Sequence, residues 1–412
     1  MNRALDQVGL MALLDRPGVR RVLAALDAPG AETRLIGGCV RDALLGVQTA
    51  DIDMATTLLP EAVMHAAQRT RGLKAVPTGI EHGTITLVTE DGPIEVTTLR
   101  EDVETDGRYA VVRFGTDFLR DAERRDFTIN ALSLGADGTP HDPVGGLPDL
   151  EAGRVRFIGD PATRIREDAL RILRFFRFQA RFGAGAPDAA ALAACVAARD
   201  SLDRLSRERV RAEFLKLLAA SGGPAMVATL SATGLLQRIT GGVGELGRLE
   251  RAAAAGLSPV MRLAALSVGA RHDADRLRER LRLSKSEHGQ LIGYAEALAD
   301  LHGRAVLDGV AARALAAGHG LSRLADVLAI LAGEPRPAVT ETAISAFETL
   351  KGEGASPAFP LAGADLVAAG VAPGPGIGRG LATARKVWLE LGCPTDAEAR
   401  ADLLARALEG AR

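Results

Sequence analysis

The chain has 412 residues, 47% of them hydrophobic and 25% charged, with a net charge of −2. That length exceeds what one core holds and predicts two to four domains, while the ordinary globular balance excludes a disordered or collagen-like chain. Near-neutrality excludes a surface coated in positive charge for non-specific nucleic-acid binding and leaves room only for a local basic stripe.

Cys39, Cys195 and Cys393 are far apart and odd in number, which excludes a disulfide framework and a cysteine zinc site and points to a reducing, cytoplasmic setting. The opening "MNRALDQVGLMALLDRPGVRR" is too short and too charged for a signal peptide or a membrane span, so no membrane association is expected. One Trp, two Tyr and eleven Phe are too few for platforms that stack bases. Any nucleic acid would be held by backbone shape and charge.

In chain order, residues 8–28 predict one amphipathic helix, closed by the Pro and Gly of "DAPGAE". From 31 to about 150 the texture is α/β. "TRLIGG" reads as a short strand stopped by glycine, "CVRDALLG" as a short helix ending at Gly46, and "ADIDMAT" as a strand. "GTITLVTEDGPIEVTTLR" reads as two β-branched runs joined in a hairpin. "HDPVGGLPDLEAGRVRFIGDP" is dense in Gly and Pro and connects to a remainder that is nearly all helix: "EDALRILRFFRFQARF", "RERVRAEFLKLLAA" and "MRLAALSVG" each carry apolar periodicity. The expected fold class is α+β, an α/β head followed by helices.

The chemistry concentrates in "LIGGCVRDALLGVQTADIDMAT". Residues two apart on a strand share a face, so Asp51 and Asp53 point together while Ile52 faces the core. Paired carboxylates repel unless a cation lies between them, and Mg2+ takes carboxylate and phosphate oxygens together. Gly37 and Gly38 turn a strand into a helix, where backbone N–H groups can cradle phosphate, with Arg41 one turn further on. In "PIEVTTLR", Glu95 alternates with apolar Ile94 and Val96; a solvated outward residue and a third carboxylate for the same site stand as equal readings.

"DFLRDAERRDFTINALSL" reads as a helix capped by Asp117, in which Thr128 and Asn130 interrupt an apolar run and suggest a polar pocket. In "TRIREDALRILRFFRF", Asp168, Arg171 and Arg174 follow at i, i+3 and i+6 and Glu167 pairs with Arg171 at i+4, which predicts one charged helical stripe. A solvated ion-pair face is the plainer alternative; an adjacent acid and guanidinium can also read a base edge. "PGPGIGRG" has no strand before it and is expected to link two tail helices rather than bind a dinucleotide. His272 and Asp273 lack further ligands at metal spacing and are read as a helix start, and His82 and His141 as isolated loop residues.

The ordered set "GGCVRDALLG", "DID", "IEVTTLR", "RRDFTINAL", "REDALRILRFFRF" and "RERVRAE" resembles the class II tRNA nucleotidyltransferases and bacterial poly(A) polymerases over residues 33–215. The resemblance implies a polymerase-β-like nucleotidyltransferase head followed by all-α neck, body and tail: an N-terminal helix at 1–30, the head at 31–155, a nucleotide-selecting neck at 156–220, and a tRNA-binding body and tail at 221–412. It implies that Asp51 and Asp53 bind metal, that Gly38 and Arg41 hold the triphosphate, and that Arg125 and Asp126 meet ribose and phosphate. Glu167, Asp168 and Arg171 match the amino-acid template that selects C or A, Arg174 a further nucleotide contact, and Glu208, Arg209 and Glu213 a brace for the template helix.

The implied reaction is addition of CCA to the tRNA 3′ end from CTP and ATP with magnesium, and no obligate protein partner is evident. "REDVETDGRYAVVRFG" stands where the family's C-to-A switching loop lies and is full length, which favours complete CCA synthesis. Cys39 and Val40 after the glycine pair and the mildly acidic balance disfavour a poly(A) polymerase. That activity, partial CC or A addition, small-molecule nucleotidyl transfer and a catalytically silent RNA-binding protein remain as alternatives.

Overall fold

The computed structural model describes the backbone of residues 3–49, 51–105 and 110–412, and their side chains except at 101–105 and 110–112. The chain divides into two compact units, Met1–Arg238 and Ile239–Arg412.

The first unit opens with two helices, α1 (Gln7–Leu14) and α2 (Pro17–Ala25), where one was expected. Proline explains the break. Pro17 lacks an N–H and occupies the first turn of α2, and Arg16 before it is held out of the helical region at ψ 130°. Asp6 caps α1 by accepting from the Gly9 N–H at 3.0 Å.

The strands and helices that follow are β1 (Thr33–Ile36), α3 (Gly38–Leu44), β2 (Ile52–Thr56), α4 (Pro60–Arg69), β3 (Lys74–Gly79), β4 (Thr84–Thr89), β5 (Gly92–Thr98), β6 (Arg100–Thr105), β7 (Ala110–Phe114), α5 (Phe118–Glu123), β8 (Ser133–Gly135) and β9 (Pro140–His141). Seven of these strands form one sheet in the order β3-β4-β5-β2-β1-β8-β9, and β6 pairs with β7 as a separate hairpin. The expected hairpin is β4–β5, antiparallel; β5 then runs parallel to β2, a pairing that no local turn dictates.

Period-two alternation gives the sheet two different faces. Leu35, Met54, Leu87, Ile94 and Val96 are buried on one, the side on which α2 and α4 pack. Asp53 and Glu95 lie on the other with Ile36 and Ala55, where Phe118 of α5 also packs. A strand that reads polar-apolar-polar therefore delivers its carboxylates to one side while its apolar residues anchor it.

The helix expected across "DFLRDAERRDFTINALSL" stops at Glu123. Asp117 caps it as expected, accepting from the Leu119 N–H at 2.8 Å. Phe127 then becomes extended and fully buried, in a ring cluster with Phe157 (4.8 Å) and Phe178 (5.2 Å). Burial of that ring outweighs helical continuation.

The rest of the first unit is helical: α6 (Gly146–Glu151), α7 (Pro161–Glu167), α8 (Leu170–Phe182), α9 (Ala189–Ala197), α10 (Arg207–Ala219), α11 (Gly223–Ala232) and α12 (Leu235–Thr240), which runs across the boundary. The second unit contains α13 (Leu246–Ala254), α14 (Pro259–Ser267), α15 (Arg271–Leu281), α16 (Lys285–His302), α17 (Gly309–His319), α18 (Leu321–Leu331), α19 (Glu341–Glu353), α20 (Gly363–Ala368), α21 (Pro375–Glu390) and α22 (Ala397–Ala411), with a two-stranded parallel ladder of Val306–Leu307 and Ala338–Val339. The α+β class with a helical remainder is borne out.

"PGPGIGRG" does not link helices as expected. It forms the first turns of α21, and its glycines let α22 approach: a Cβ on Gly380 would stand 2.4 Å from the Ala407 carbonyl oxygen. Asp273 caps α15, accepting from the Gly269 and Ala270 N–H groups at 2.9 Å, as the helix-start reading requires. Among the described residues no single helix is long and apolar enough to cross a membrane; α17 and α18 reach that length only as a pair bent by 120°.

Candidate active site

Asp53 and Glu95 are register partners on the neighbouring parallel strands β2 and β5. Their backbones are thus about 4.8 Å apart, and both side chains leave the same face. Asp51 is exposed immediately before β2. Burial pushes the Asp53 carboxyl above its ordinary range, and the charges of Glu95 and then Asp51 add to that, with only Arg125 opposing. Glu95 is exposed on its strand and lies beside Asp53 on the same face, a placement open to both readings of it.

The like charges of Glu95 and Asp51 beside the partly buried Asp53 make that one carboxyl costly to ionise, a cost that a nearby cation would relieve. Among the described residues no group of three or more His, Cys, Asp or Glu side chains is arranged to hold a metal ion by itself. Cys39 lies beneath the strand, its thiol 3.6 Å from the Asp53 carbonyl oxygen, and burial pushes it up to about 11, so it stays a neutral thiol.

Gly37 sits at φ +71°, a conformation glycine tolerates, and a Cβ there would stand 3.1 Å from Nη1 of Arg125. Gly38 begins α3, with Nη2 of Arg41 3.6 Å from its own would-be Cβ. The glycine turn is therefore flanked by two arginines, held in different ways. Arg125 is one-fifth exposed and paired with Asp121, its Nε and Nη2 donating at 3.2 and 3.0 Å. Asp121 also accepts from Arg124 at 2.5 Å; burial raises its carboxyl, but Arg125 and Arg124 outweigh that and leave it low.

Arg41, expected one turn into the helix as a charge for phosphate, is buried. Its Nε and Nη2 donate to Asp42, its Nη1 donates to the Asn130 Oδ1, and its guanidinium lies 4.1 Å over the Phe182 ring. Thr128 and Asn130 likewise spend their polar groups internally: the Thr128 hydroxyl donates to Asp149 at 2.6 Å and the Asn130 amide to Asp126 at 2.9 Å. Asp126 is also buried, its second oxygen accepting from Nε of Arg174 at 2.6 Å. Burial pushes the Asp126 carboxyl up, and Arg174 with the surrounding hydrogen bonds brings it below the usual range.

The expected single charged stripe is broken. α7 ends at Glu167, Asp168 is extended at φ −151°, and α8 starts at Leu170. Asp168 accepts from the Leu170 N–H at 3.0 Å and from Arg209 at 2.6 Å. Its side chain competes with the backbone for hydrogen bonds, ending one helix and opening the next. Glu167 accepts from Arg164 at 2.8 Å and from Arg171, and those pairings outweigh burial to hold its carboxyl low.

α10 braces this corner: Arg209 binds Asp168, and Glu213 accepts from Arg177 at 2.6 Å with Arg174 3.9 Å away. Glu208 is exposed on the same helix and takes no part in those bonds. A cavity of about 430 Å³ opens beside Glu167 and Arg164, but its walls include neither the acidic group nor Asp168, so it is not where bonds would change. Sequence reasoning missed Asp42, Asp121 and Asp149; the i+3 and i+4 spacing of Asp121 to Arg124 and Arg125 was the available signal.

A mixed sheet carrying three acids beside an arginine-flanked glycine turn is the frame of a nucleotidyltransferase head, and residues 33–156 match the poly A polymerase head domain. Residues 187–241 match the probable RNA and SrmB-binding site of polymerase A. The CCA-adding enzyme of Limosilactobacillus fermentum is 33% identical over 391 residues, 90% of this chain and 92% of that one. The chain belongs to the CCA-adding enzyme family.

A mitochondrial CCA tRNA nucleotidyltransferase 1 of Danio rerio is 40% identical over 264 residues, 62% of this chain; the match spans 61% of that relative's length. The crystal structure of the Bacillus stearothermophilus CCA-adding enzyme in complex with CTP superposes with a TM-score of 0.65 at 25% identity, covering 95% of this chain and 92% of that one. The Thermotoga maritima CCA-adding enzyme complexed with tRNA(CCA) shares the fold, with a TM-score of 0.71 at 21% identity and 99% of each chain covered.

Proposed function

We propose that this chain adds C, C and A to the 3′ end of tRNA from CTP and ATP, with the head at 31–155 doing the chemistry, the neck at 156–220 selecting the base, and the helices of 221–412 holding tRNA. The observation that carries the reading is the register of Asp53 on Glu95, with Asp51 before them and the Gly37–Gly38 turn and Arg125 alongside. The reaction is attack of the terminal 3′-hydroxyl on the α-phosphate; the new P–O bond forms as the bond to pyrophosphate breaks, and the hydroxyl proton leaves to solvent or a carboxylate.

Asp51, Asp53 and Glu95 would hold magnesium, which when bound supplies charge neutralisation at the phosphates and a more acidic hydroxyl. The glycine turn lets the triphosphate approach backbone, and Arg125, oriented by Asp121, faces it with positive charge. Asp168 and Arg171 stand where α7 gives way to α8 and would accept from and donate to the base edge, which requires their present partners Arg209 and Glu167 to yield. Three free, buried cysteines suit the reducing cytoplasm.

The test is incorporation by purified protein with magnesium and labelled CTP or ATP on tRNAs ending before, within and after CCA. The expected product stops at CCA. Long A tracts on any RNA end would favour the polymerase named in the head-domain match, and no incorporation with retained tRNA binding would leave a binding protein.

A further inference from the structure

The "GGCVRDALLG" segment carries two neighbouring charges, Arg41 and Asp42, and the resemblance gives a role only to the first. Asp42 is 6% exposed. One carboxylate oxygen accepts from Nε and Nη2 of Arg41 at 2.9 and 2.7 Å; the other accepts from Nη2 of Arg181, in the last turn of α8, at 3.1 Å. From Arg41 the path continues through Asn130 to Asp126 and from Asp126 to Arg174, back on α8. Arg174 and Arg181 are seven residues apart, two turns along one helical face and about 10.5 Å.

The head thus grips α8 at two points through a single chain of charge-assisted bonds. Attachment alone would not need it. Arg41 already lies over Phe182 and Phe178, and apolar side chains could fill that volume without burying a carboxylate. What such a chain adds is directional: it fixes the rotation and axial position of α8, and α8 begins two residues after Asp168 and contains Arg171.

We propose that Asp42 is a positioning residue: by tying Arg181 to Arg41 it sets the register of the base-facing corner, Asp168 and Arg171, against the glycine turn and the acidic group. The inference rests on the reading above of those two places as base-selecting and reactive. A base held in the wrong register still binds, but its α-phosphate meets the 3′-hydroxyl off line, so turnover and selectivity fall before affinity does.

The test compares Asp42→Asn, Arg181→Gln and Arg181→Lys with wild type, measuring kcat, nucleotide KM, the ratio of C to A added to tRNA ending in CC, and the thermal midpoint. Arg181 is half exposed at the edge of the path, so its loss leaves the fold intact even where Asp42→Asn unfolds the head. For Arg181→Gln we expect kcat to drop about tenfold and misaddition of C to rise about tenfold, with KM within about threefold. Arg181→Lys restores most of both, since one donor reaching Asp42 suffices.

A role in stability alone would lower the midpoint and the active fraction and leave the C-to-A ratio unmoved; that result, or an Arg181→Gln enzyme matching wild type, overturns the proposal. A wild-type protein that adds no nucleotide sinks both the function and this inference. A wild type that adds CCA alongside an unaffected Arg181→Gln sinks this inference only.

Discussion

Asp53 and Glu95 face one another from parallel strands whose sequences lie 42 residues apart, and burial together with the charge of Glu95 makes Asp53 harder to ionise. An acid whose proton affinity is raised by folding adds stability at low pH, and that stability is lost as pH climbs through its folded value. At neutral pH the charge on Asp53 therefore weighs against the fold. Asp53→Asn should raise the thermal midpoint by a few degrees in chelator at pH 7.5, with the gap to wild type closing as pH falls toward the ordinary carboxylate range. The same variant should lose turnover by roughly 10³-fold or more, and magnesium should stabilise wild type but not the variant. Equal midpoints with and without magnesium in wild type would remove the cation site.

Asp121 works in the opposite sense. Its carboxyl is held low by Arg125 and Arg124 against its own burial, so the stability it contributes is present above the ordinary value near 3.8 and is lost as pH falls through the folded value. Asp121→Asn should cost about 2 kcal/mol at pH 7, since a buried charged acceptor with two guanidinium partners is neutralised. Released from its clamp, Arg125 should raise KM for both nucleotides equally. Selectivity between C and A should not move, and a change there would place Asp121 in base reading instead.

The sheet was legible because alternation is local: β1, α3, β2 and the β4–β5 hairpin stand where the polar and apolar residues put them. The placement of Glu95 beside Asp53 was not, because it depends on the parallel pairing of β5 with β2, which no turn in the sequence encodes. The charged stripe of 167–174 read as unbroken because its spacing is helical throughout; the break comes from the Asp168 side chain bonding the Leu170 N–H, a choice periodicity does not register. Buried Asp42, Asp126 and Asp149 look like surface acids until their arginine partners, up to 139 positions away, are in place. The segment expected to switch from C to A addition is described as the paired strands β6 and β7, and its residues 106–109 lie outside the described residues.

The two glycines of the turn should respond differently to alanine. At Gly37, φ +71° strains any L side chain and the new methyl meets Nη1 of Arg125 at 3.1 Å, so Gly37→Ala should cost about 1–2 kcal/mol and displace that arginine. At Gly38 the nearest atom is 3.6 Å away and the backbone is helical, so Gly38→Ala should leave stability nearly unchanged. Activity loss in a fully stable Gly38→Ala enzyme, seen as a raised nucleotide KM, would then report a phosphate that needs the vacant space. Unchanged kinetics would move the triphosphate away from α3.

Asp168 has two jobs that substitution can separate. It supplies the acceptor for the first N–H of α8 and a carboxylate that Arg209 now occupies. Asp168→Ala should lose both, costing about 1 kcal/mol as a lost cap together with C/A selectivity. Asp168→Asn keeps an acceptor for Leu170, so its midpoint should stay near wild type while selectivity is still lost. Arg209→Gln should leave selectivity in place and lower stability only slightly, because that pair is partly exposed to solvent. Selectivity retained in Asp168→Asn, measured by competition between CTP and ATP on tRNA ending in CC, would reassign base reading to other residues.

The glycines of α21 test a separate part of the chain. Gly376 and Gly380 face the carbonyl oxygens of Ala411 and Ala407, with would-be Cβ atoms at 2.8 and 2.4 Å, and Gly410 of α22 faces the Thr383 hydroxyl at 2.4 Å. Backbone cannot retreat as a flexible side chain can, so Gly380→Ala must spread the two helices and loosen Trp388, Leu403 and Ala407 in the core beneath. The expected cost is about 1–3 kcal/mol, read as a lower denaturation midpoint of a fragment-sized transition or as faster amide exchange in α21 and α22. Incorporation of a single nucleotide at saturating tRNA should be untouched, while the KM for tRNA should rise. A variant that keeps tRNA affinity with α21 and α22 loosened would show that these helices do not hold the RNA.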